Sequence, residues 1–396
     1  MMQISPEIQL FIREHSSDDV RVLALQAKKY PDINMPTAIT QIAGRQVAAE
    51  KIPSWREIEE IWYPKHLSLE QCSSEITARY KARLLQGDSL TDLTGGFGID
   101  CSFLATGFKS ATYVERQEEL CEIAAHNFLI LNLNHINIKN EDGVTYLQAM
   151  SPVDCLFLDP ARRNEHGGKT VAISDCEPNV AELEELLLQK ANRVMIKLSP
   201  MLDLSLALKE LKQTQEVHIL SVNNECKELL ILLGQTSPAE ISIHCVNLFT
   251  KGTQKEQHFV FTREQEQCSE CTYTDSLETY LYEPNASLLK AGAFRSIAAA
   301  YPVRKLHPNS HLYTSDTFIE NFPGRIFRIV NQCSFNKKEV KENLADLKKA
   351  NVTVRNFPAT VAELRKRIHL AEGGDTYLFA STLNNGQKVL IRCEKV

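Results

Sequence analysis

The sequence is poor in the features that would place it in a membrane, a secreted framework or a repeat array. No apolar run among its 396 residues reaches the roughly 20 needed to cross a bilayer. The first residues, Met-Met-Gln-Ile-Ser-Pro-Glu, offer neither a basic stretch nor an apolar core, so no secretory signal is expected. Internal repeats and low-complexity tracts are lacking. The 11 cysteines are scattered, mostly within apolar patterns such as Val153-Asp-Cys155-Leu-Phe157, and read as reduced cytosolic thiols. Cys268 and Cys271 form one CxxC with no second pair nearby. A structural zinc needs about four ligands, so a surface turn is expected there and no metal. What remains is a cytoplasmic globular chain, 43% hydrophobic and 24% charged, long enough for two or three domains.

The charge is unevenly spread. From Gly324 to Val396 there are 14 Lys+Arg against 7 Asp+Glu, a balance of +7, so with a total of −6 the preceding residues carry −13. The positive residues cluster as Lys337, Lys338 and Lys341, as Lys348 and Lys349, and as Arg365, Lys366 and Arg367. A basic module on an acidic body suggests a polyanionic partner such as nucleic acid, although a solvated helix face has the same appearance.

Residues 1–85 read as helices punctuated by Pro31, Pro36, Pro53 and Pro64, with Ser5-Pro6 as an N-terminal cap. Ser68-Leu-Glu-Gln71 is a capping box expected to open one long helix through Arg83. From Ser89 short apolar runs alternate with helical stretches, which predicts a parallel sheet covered on both faces. The strands expected are 89–94, 111–115, 136–139, 153–159, 193–199 and 216–222. Only Asn223 to Glu228 separates Val217–Val222 from Leu229–Leu233, too few residues for a crossover helix, so this pair should be an antiparallel hairpin. Two further strand-like runs, 241–250 and 258–262, precede a charged linker over 263–275. Glu283-Pro-Asn285 should open a helix through Tyr301. From Gly324 the order reads β-α-β-α-β-β, the last two strands joined at Asn384-Asn-Gly386.

The segment richest in chemical information is Asp92-Leu-Thr94-Gly95-Gly96-Phe-Gly98, followed by Glu115 in Tyr113-Val-Glu115. Closely spaced glycines let a backbone turn sharply and approach a ligand. An acid ending the next strand can accept bonds from both hydroxyls of a ribose. A dinucleotide turn would read G-x-G-x-x-G and meet a pyrophosphate; here an acid leads the turn, and Asp100 stands where a matching glycine is missing. An acid suits an ammonium group, and S-adenosylmethionine has an ammonium and a sulfonium but no phosphate.

In Asp92–Gly98, Glu115, Asn140-Glu-Asp142-Gly143 and Val153-Asp-Cys-Leu-Phe-Leu-Asp159-Pro160-Ala-Arg162, the chain resembles class I S-adenosylmethionine-dependent methyltransferases of the bacterial RNA methyltransferase-like type. The resemblance implies a Rossmann-like sheet ending in an antiparallel hairpin, with S-adenosylmethionine as cofactor. It assigns Asp92, Thr94, Gly95, Gly96 and Gly98 to the donor turn, Glu115 to the ribose and Asp142 to the adenine. Ser74 and Thr77, neighbours on one helix face, fall where the family closes over the methionine moiety. Asp142 also reads simply as the first acid of the following helix, and Glu115 as a surface acid. Asp159, Pro160 and Arg162 take the catalytic loop, with Asp159 orienting a nucleophile and accepting its proton. The loop is not the amino-methylase pattern, which has two prolines and an aromatic. Asp-Pro-Ala-Arg resembles RNA uracil-C5 methyltransferases, but Ile196-Lys-Leu-Ser-Pro-Met201 lacks their cysteine nucleophile. His166 reads as a loop residue.

Glu283 to Gly292 and the basic module resemble the ferredoxin-like and THUMP-like domains that accompany such enzymes. The expected architecture is α/β: an N-terminal helical region over 1–85, the methyltransferase over 86–275, and small α+β domains over 276–323 and 324–396. The expected activity is methylation of structured RNA, ribosomal or transfer, with Lys337, Lys338, Lys341, Arg365, Lys366 and Arg367 on the phosphates and no membrane or obligate protein partner. A protein or small-molecule methyltransferase and a non-catalytic RNA-binding protein remain the alternatives.

Overall fold

The computed structural model describes residues 4–162, 172–236 and 238–396; the side chains of His66, Leu67 and Arg162 are outside the description. The chain divides into two compact units. One comprises residues 1–216 and 229–238, the other 217–228 and 239–396. Among the described residues no helix is long and apolar enough to cross a membrane.

The first unit opens with helices Pro6–Glu14, Val20–Leu25 and Met35–Lys51. Ser5, Asp19 and Asn34 cap them by accepting backbone N–H bonds. The expected boundary near residue 85 runs through a shared core: Ala48, Ile52, Trp55, Tyr63 and Ala78 pack with Phe97, Ile99 and Ile123. The helix expected to run unbroken from Ser68 to Arg83 is instead two, His66–Gln71 and Glu75–Ala82. Ser74 is extended and starts the second, while the Ser73 hydroxyl is drawn into a buried ionic cluster. Hydroxyls that bind elsewhere compete with helical backbone.

Six strands order this unit: Glu225–Gly234, Ala191–Leu198, Val153–Leu158, Ser89–Asp92, Ser110–Glu115, Ile136–Asn140. All are parallel except Glu225–Gly234, which pairs antiparallel with its neighbour from Arg193↔Gly234 to Leu198↔Leu229. The expected hairpin is present. Thr214–Val222 and Glu225–Gly234 meet at Asn223 and Asn224, whose φ of 50° and 69° suit a two-residue hairpin turn. Its base belongs to the first unit and its tip to the second. The chain winds outward from Ser89–Asp92 in one direction and then resumes on its other side at Val153–Leu158. This reversal opens the crevice at the carboxyl ends of these two strands where open α/β sheets bind ligands.

The second unit contains the antiparallel pair Ser242–Leu248 and Glu256–Thr262 and a seven-stranded sheet built around Tyr280–Pro284, Gly324–Ser334, Lys388–Lys395, Ala371–Thr382 and Lys349–Val354. The expected linker over 263–275 includes a helix, Arg263–Cys268, closed by a Thr262/Gln265 capping box. The helix expected through Tyr301 is two short ones, Ala286–Ala291 and Ser296–Ala300. Asn285 caps the first, Gly292 at φ 78° ends it, and the Glu266 carboxylate takes the backbone N–H groups of Phe294, Arg295 and Ser296. Helices Lys337–Leu344 and Val361–Ile368 pack Leu344 and Leu364 on one face of the sheet with Leu378, Ala380 and Leu390.

Candidate donor and catalytic site

Strand Ser89–Asp92 delivers the chain into a tight turn. Thr94 N–H donates to Asp92 Oδ1 at 2.9 Å, Gly95 N–H to Val114 O at 2.9 Å, and Gly98 N–H to Gly95 O at 2.9 Å. Gly95 is demanded by packing: a Cβ there would lie 2.2 Å from the Tyr113 ring. Gly96 and Gly98, at φ 54° and 86°, are demanded by backbone conformation. Glu115 spans the turn, its Oε2 accepting from Gly96 N–H at 2.9 Å and its Oε1 from Gln117 N–H at 2.8 Å. Asp92 is buried and its Oδ2 has no hydrogen-bond partner among the described residues. Burial, with the nearby Asp100 and Asp159 charges, pushes its carboxyl up to about 8.

Asp142 caps helix Gly143–Ala149, its Oδ1 accepting from Val144 and Thr145 N–H at 3.0 Å each. Ser74, extended at the N-cap rather than within the helix, still meets Thr77 in its first turn, their hydroxyls 3.2 Å apart. Asp159 leaves the end of strand Val153–Leu158; its backbone N–H donates to Thr94 Oγ1 at 2.6 Å, which ties the loop that follows this strand to the glycine turn. Pro160 is buried, and Ala161–Arg162 pairs antiparallel with Cys176–Glu177. The Arg162 side chain and His166 lie outside the described residues.

The sequence reading missed an ionic cluster behind these groups. Lys197 Nζ, from strand Ala191–Leu198, lies 2.6 Å from Asp159 Oδ2 and 3.3 Å from Asp100 Oδ2. Lys81 Nζ lies 2.9 Å from Asp100 Oδ1. The Ser73 hydroxyl donates to Asp100 Oδ2 at 2.7 Å and accepts from Lys81 and Lys197 at 2.7 and 3.0 Å. Burial alone would raise the Asp100 carboxyl, but the two ammonium groups prevail and hold it well below the usual range. The available signal was a charge inside an apolar strand, Val194-Met-Ile-Lys197-Leu198. A buried lysine needs a partner, yet its partners lie far away in sequence.

Four carboxylates, Asp92, Glu115, Asp142 and Asp159, thus follow the ends of four neighbouring parallel strands. The Gly96 N–H, which could have met a phosphate, is taken by Glu115. Such a site favours a ligand carrying hydroxyls and positive charge over a pyrophosphate.

The basic clusters take definite places in the second unit. Lys337, Lys338, Lys341, Lys366 and Arg367 are exposed on the outer sides of the two helices that share one sheet face. Arg365 is half-buried, 3.8 Å from Glu372, and the Arg367 guanidinium sits 4.0 Å from the Phe335 ring centroid.

Residues 280–323 match a ferredoxin-like domain family and residues 324–395 a THUMP domain-like family. The solved structure of a proposed methyltransferase from Porphyromonas gingivalis W83 is similar at TM-score 0.87 and 34% identity, over 100% of both chains. A proposed methyltransferase from Streptococcus mutans in complex with SAH aligns at TM-score 0.30 and 14% identity over 40% of this chain and 96% of its own. A SAM-dependent O-methyltransferase from Thermotoga maritima aligns at 0.32 and 17%, over 43% and 68%. A search of curated proteins gives no match. Full-length similarity at this identity places the chain in the family of the Porphyromonas gingivalis protein, a methyltransferase-fold family with ferredoxin-like and THUMP-like carboxyl-terminal domains.

Proposed function

We propose that this protein transfers a methyl group from S-adenosylmethionine to structured RNA, ribosomal or transfer. The observation that carries the donor half is the buried Asp92 carboxylate with its unpartnered Oδ2 beside the glycine turn. A cationic amine complements it, and a phosphate does not. Glu115 fits a ribose: each oxygen accepts one backbone N–H, and a carboxylate has lone pairs for about four bonds. Ser74 and Thr77 present paired hydroxyls, and Asp142 keeps one oxygen outside its helix cap.

When bound, S-adenosylmethionine supplies a methyl group activated by its sulfonium. The protein's share is positioning, because an in-line displacement rewards correct approach above all. Asp159 orients the attacking group and takes up its proton. Lys197, at 2.6 Å, fixes the direction of that carboxylate, and Thr94 fixes its backbone. Buried Pro160 starts the loop that follows.

The RNA half rests on the +7 charge from Gly324 onward, the exposed lysines and arginines on two helices, and the THUMP domain-like match. Methyl-labelled S-adenosylmethionine incubated with the protein and total RNA from cells lacking it should place label in RNA. Label found only in protein or small-molecule fractions would overturn the RNA assignment; no label in any fraction would overturn the activity.

A further inference from the structure

A second group of charges lies in the seven-stranded sheet, within the second unit, with Glu283 and Lys305 buried and Arg325 and Arg355 half-buried. Glu283 is buried and pairs directly across from Arg325 on the neighbouring strand. Arg325 binds its Oε2 through two guanidinium nitrogens, while Arg355 Nη2 reaches its Oε1 at 3.0 Å. One carboxylate therefore braces two guanidinium groups, and an excess of positive charge remains. Lys305 adds to it: it is buried, donates to a carbonyl (Pro308 O at 2.7 Å), and faces the Phe294 ring at 5.1 Å. Glu266 also acts on Lys305, but its oxygens are engaged by the Phe294–Ser296 backbone. Burying a cation such as Lys305 without a matching anion is costly.

Two polar atoms here lack partners among the described residues, Arg355 Nε and His311 Nδ1. Arg355 and Lys305 both act electrostatically on His311, whose ring stacks on Phe294 at 3.5 Å. The backbone is also unusual. His311 at φ 51° and Asn356 at φ 53° adopt the left-handed conformation, and Asn356 bonds His307 at 2.9 Å. Non-glycine residues held in this region often mark binding sites. A structural staple for Glu283 needs only one arginine, and it explains neither the excess charge nor the unpartnered atoms.

We propose that Arg325, Arg355 and His311 form a binding site for a phosphate ester oxyanion. The guanidinium groups are preset in fork geometry by Glu283, as phosphate recognition favours, and the stacked His311–Phe294 pair supplies a flat edge. The site lies outside the two basic helices singled out from the sequence. As the element that grips the substrate, it rests on the RNA reading, and either a backbone phosphodiester or a terminal phosphate could fill it.

The test uses the full chain and three probes: a short single-stranded RNA ending in a hydroxyl, the same RNA with a terminal phosphate, and inorganic pyrophosphate. Binding is followed for wild type, Arg355→Gln and His311→Ala, with melting curves and S-adenosylmethionine titration as controls. Folded variants should bind about tenfold more weakly; Arg355→Gln should also reduce the log-log salt slope by about one, while His311→Ala, which removes a ring kept neutral by burial and by nearby Lys305 and Arg355, should leave the slope unchanged. Loss on both RNAs assigns a backbone phosphate; binding confined to the phosphorylated RNA and pyrophosphate assigns a terminal one. If wild type binds pyrophosphate but no RNA and the variants lose it, the site stands and the RNA reading falls. Wild-type RNA affinity in both variants overturns the site and spares the RNA reading, and no binding of any probe by wild type overturns the site. Should Arg355→Gln fail to fold, His311→Ala decides, since among the described residues the His311 ring stacks on Phe294 and its Nδ1 takes part in no hydrogen bond.

Discussion

Asp92→Asn should separate donor binding from stability. Asparagine keeps the Oδ1 that accepts the Thr94 N–H and places an uncharged NH₂ where Oδ2 now lacks a partner. The Asp92 carboxyl titrates near 8 in the fold against an ordinary 3.8. Between these values the folded protein binds the extra proton and the unfolded chain does not. Stability from Asp92 is therefore greatest at low pH and falls as pH rises through that window, by at most about 1.4 kcal/mol per pH unit. The asparagine variant lacks this slope. Relative to wild type it should gain about 2 kcal/mol from about pH 6 to about pH 8. Both tryptophans of the chain, Trp55 and Trp62, lie in the unit containing Asp92, so their fluorescence during urea unfolding reports on it. Binding a cationic amine requires ionised Asp92, so wild-type affinity for S-adenosylmethionine should rise up to about tenfold per pH unit below about 8, and the variant should bind weakly at every pH. A pH-independent stability difference between the two proteins would refute the reasoning, because Asp92 would then be ionised in the fold.

Glu115→Ala should cost about 1.5–3 kcal/mol of donor affinity by calorimetry, the loss expected for hydrogen bonds to a charged acceptor; unchanged affinity would make Glu115 a brace for the turn alone. Asp159→Ala should abolish methyl transfer while donor affinity stays within a few-fold, and turnover at the parent rate would remove it from the catalytic assignment. Lys81→Met should destabilise the first unit by about 3–5 kcal/mol in denaturant titrations, since it strips one cation from buried Asp100. Asp100 is held below its ordinary range, so the stability it gains from Lys81 is present above that range and lost as pH falls; a Lys81→Met deficit that does not shrink toward acid pH would contradict the pairing. Reversing Lys337, Lys338 and Lys341 should flatten the salt dependence of RNA binding by up to about three log-log units; an unaltered slope would assign these charges to solvation.

The fold was legible wherever local signals sufficed. Alternating runs from Ser89 onward gave the parallel sheet, and the six residues Asn223–Glu228 excluded a crossover and gave the hairpin. The glycine turn was legible because Gly96 and Gly98 serve backbone angles that leave a mark in the sequence. Gly95 was legible as a glycine, but its reason was hidden: the Tyr113 ring it accommodates arrives from another strand. The cluster of Ser73, Lys81, Asp100 and Lys197 was not legible, because its pairings span up to 124 positions. The break before Glu75 follows from that same cluster, so a local capping rule misplaced it. The Glu283–Arg325–Arg355 group escaped notice because single charges in strands look solvated until the sheet is assembled.

One consequence concerns the boundary at Gly324, where the ferredoxin-like match ends and the THUMP domain-like match begins. Tyr280–Pro284 on one side is hydrogen-bonded along its length to Gly324–Ser334 on the other, and a Cβ at Gly324 would lie 2.1 Å from Glu283 O. The seam between two sequence families is thus closed by a strand ladder and carries no hinge. Cutting there would bare two long edges able to recruit foreign strands, so charge reversal probes this region more cleanly than truncation. The two domains share one strand ladder, so a nucleic acid of the kind proposed, gripped by either half, would be held in register with the other.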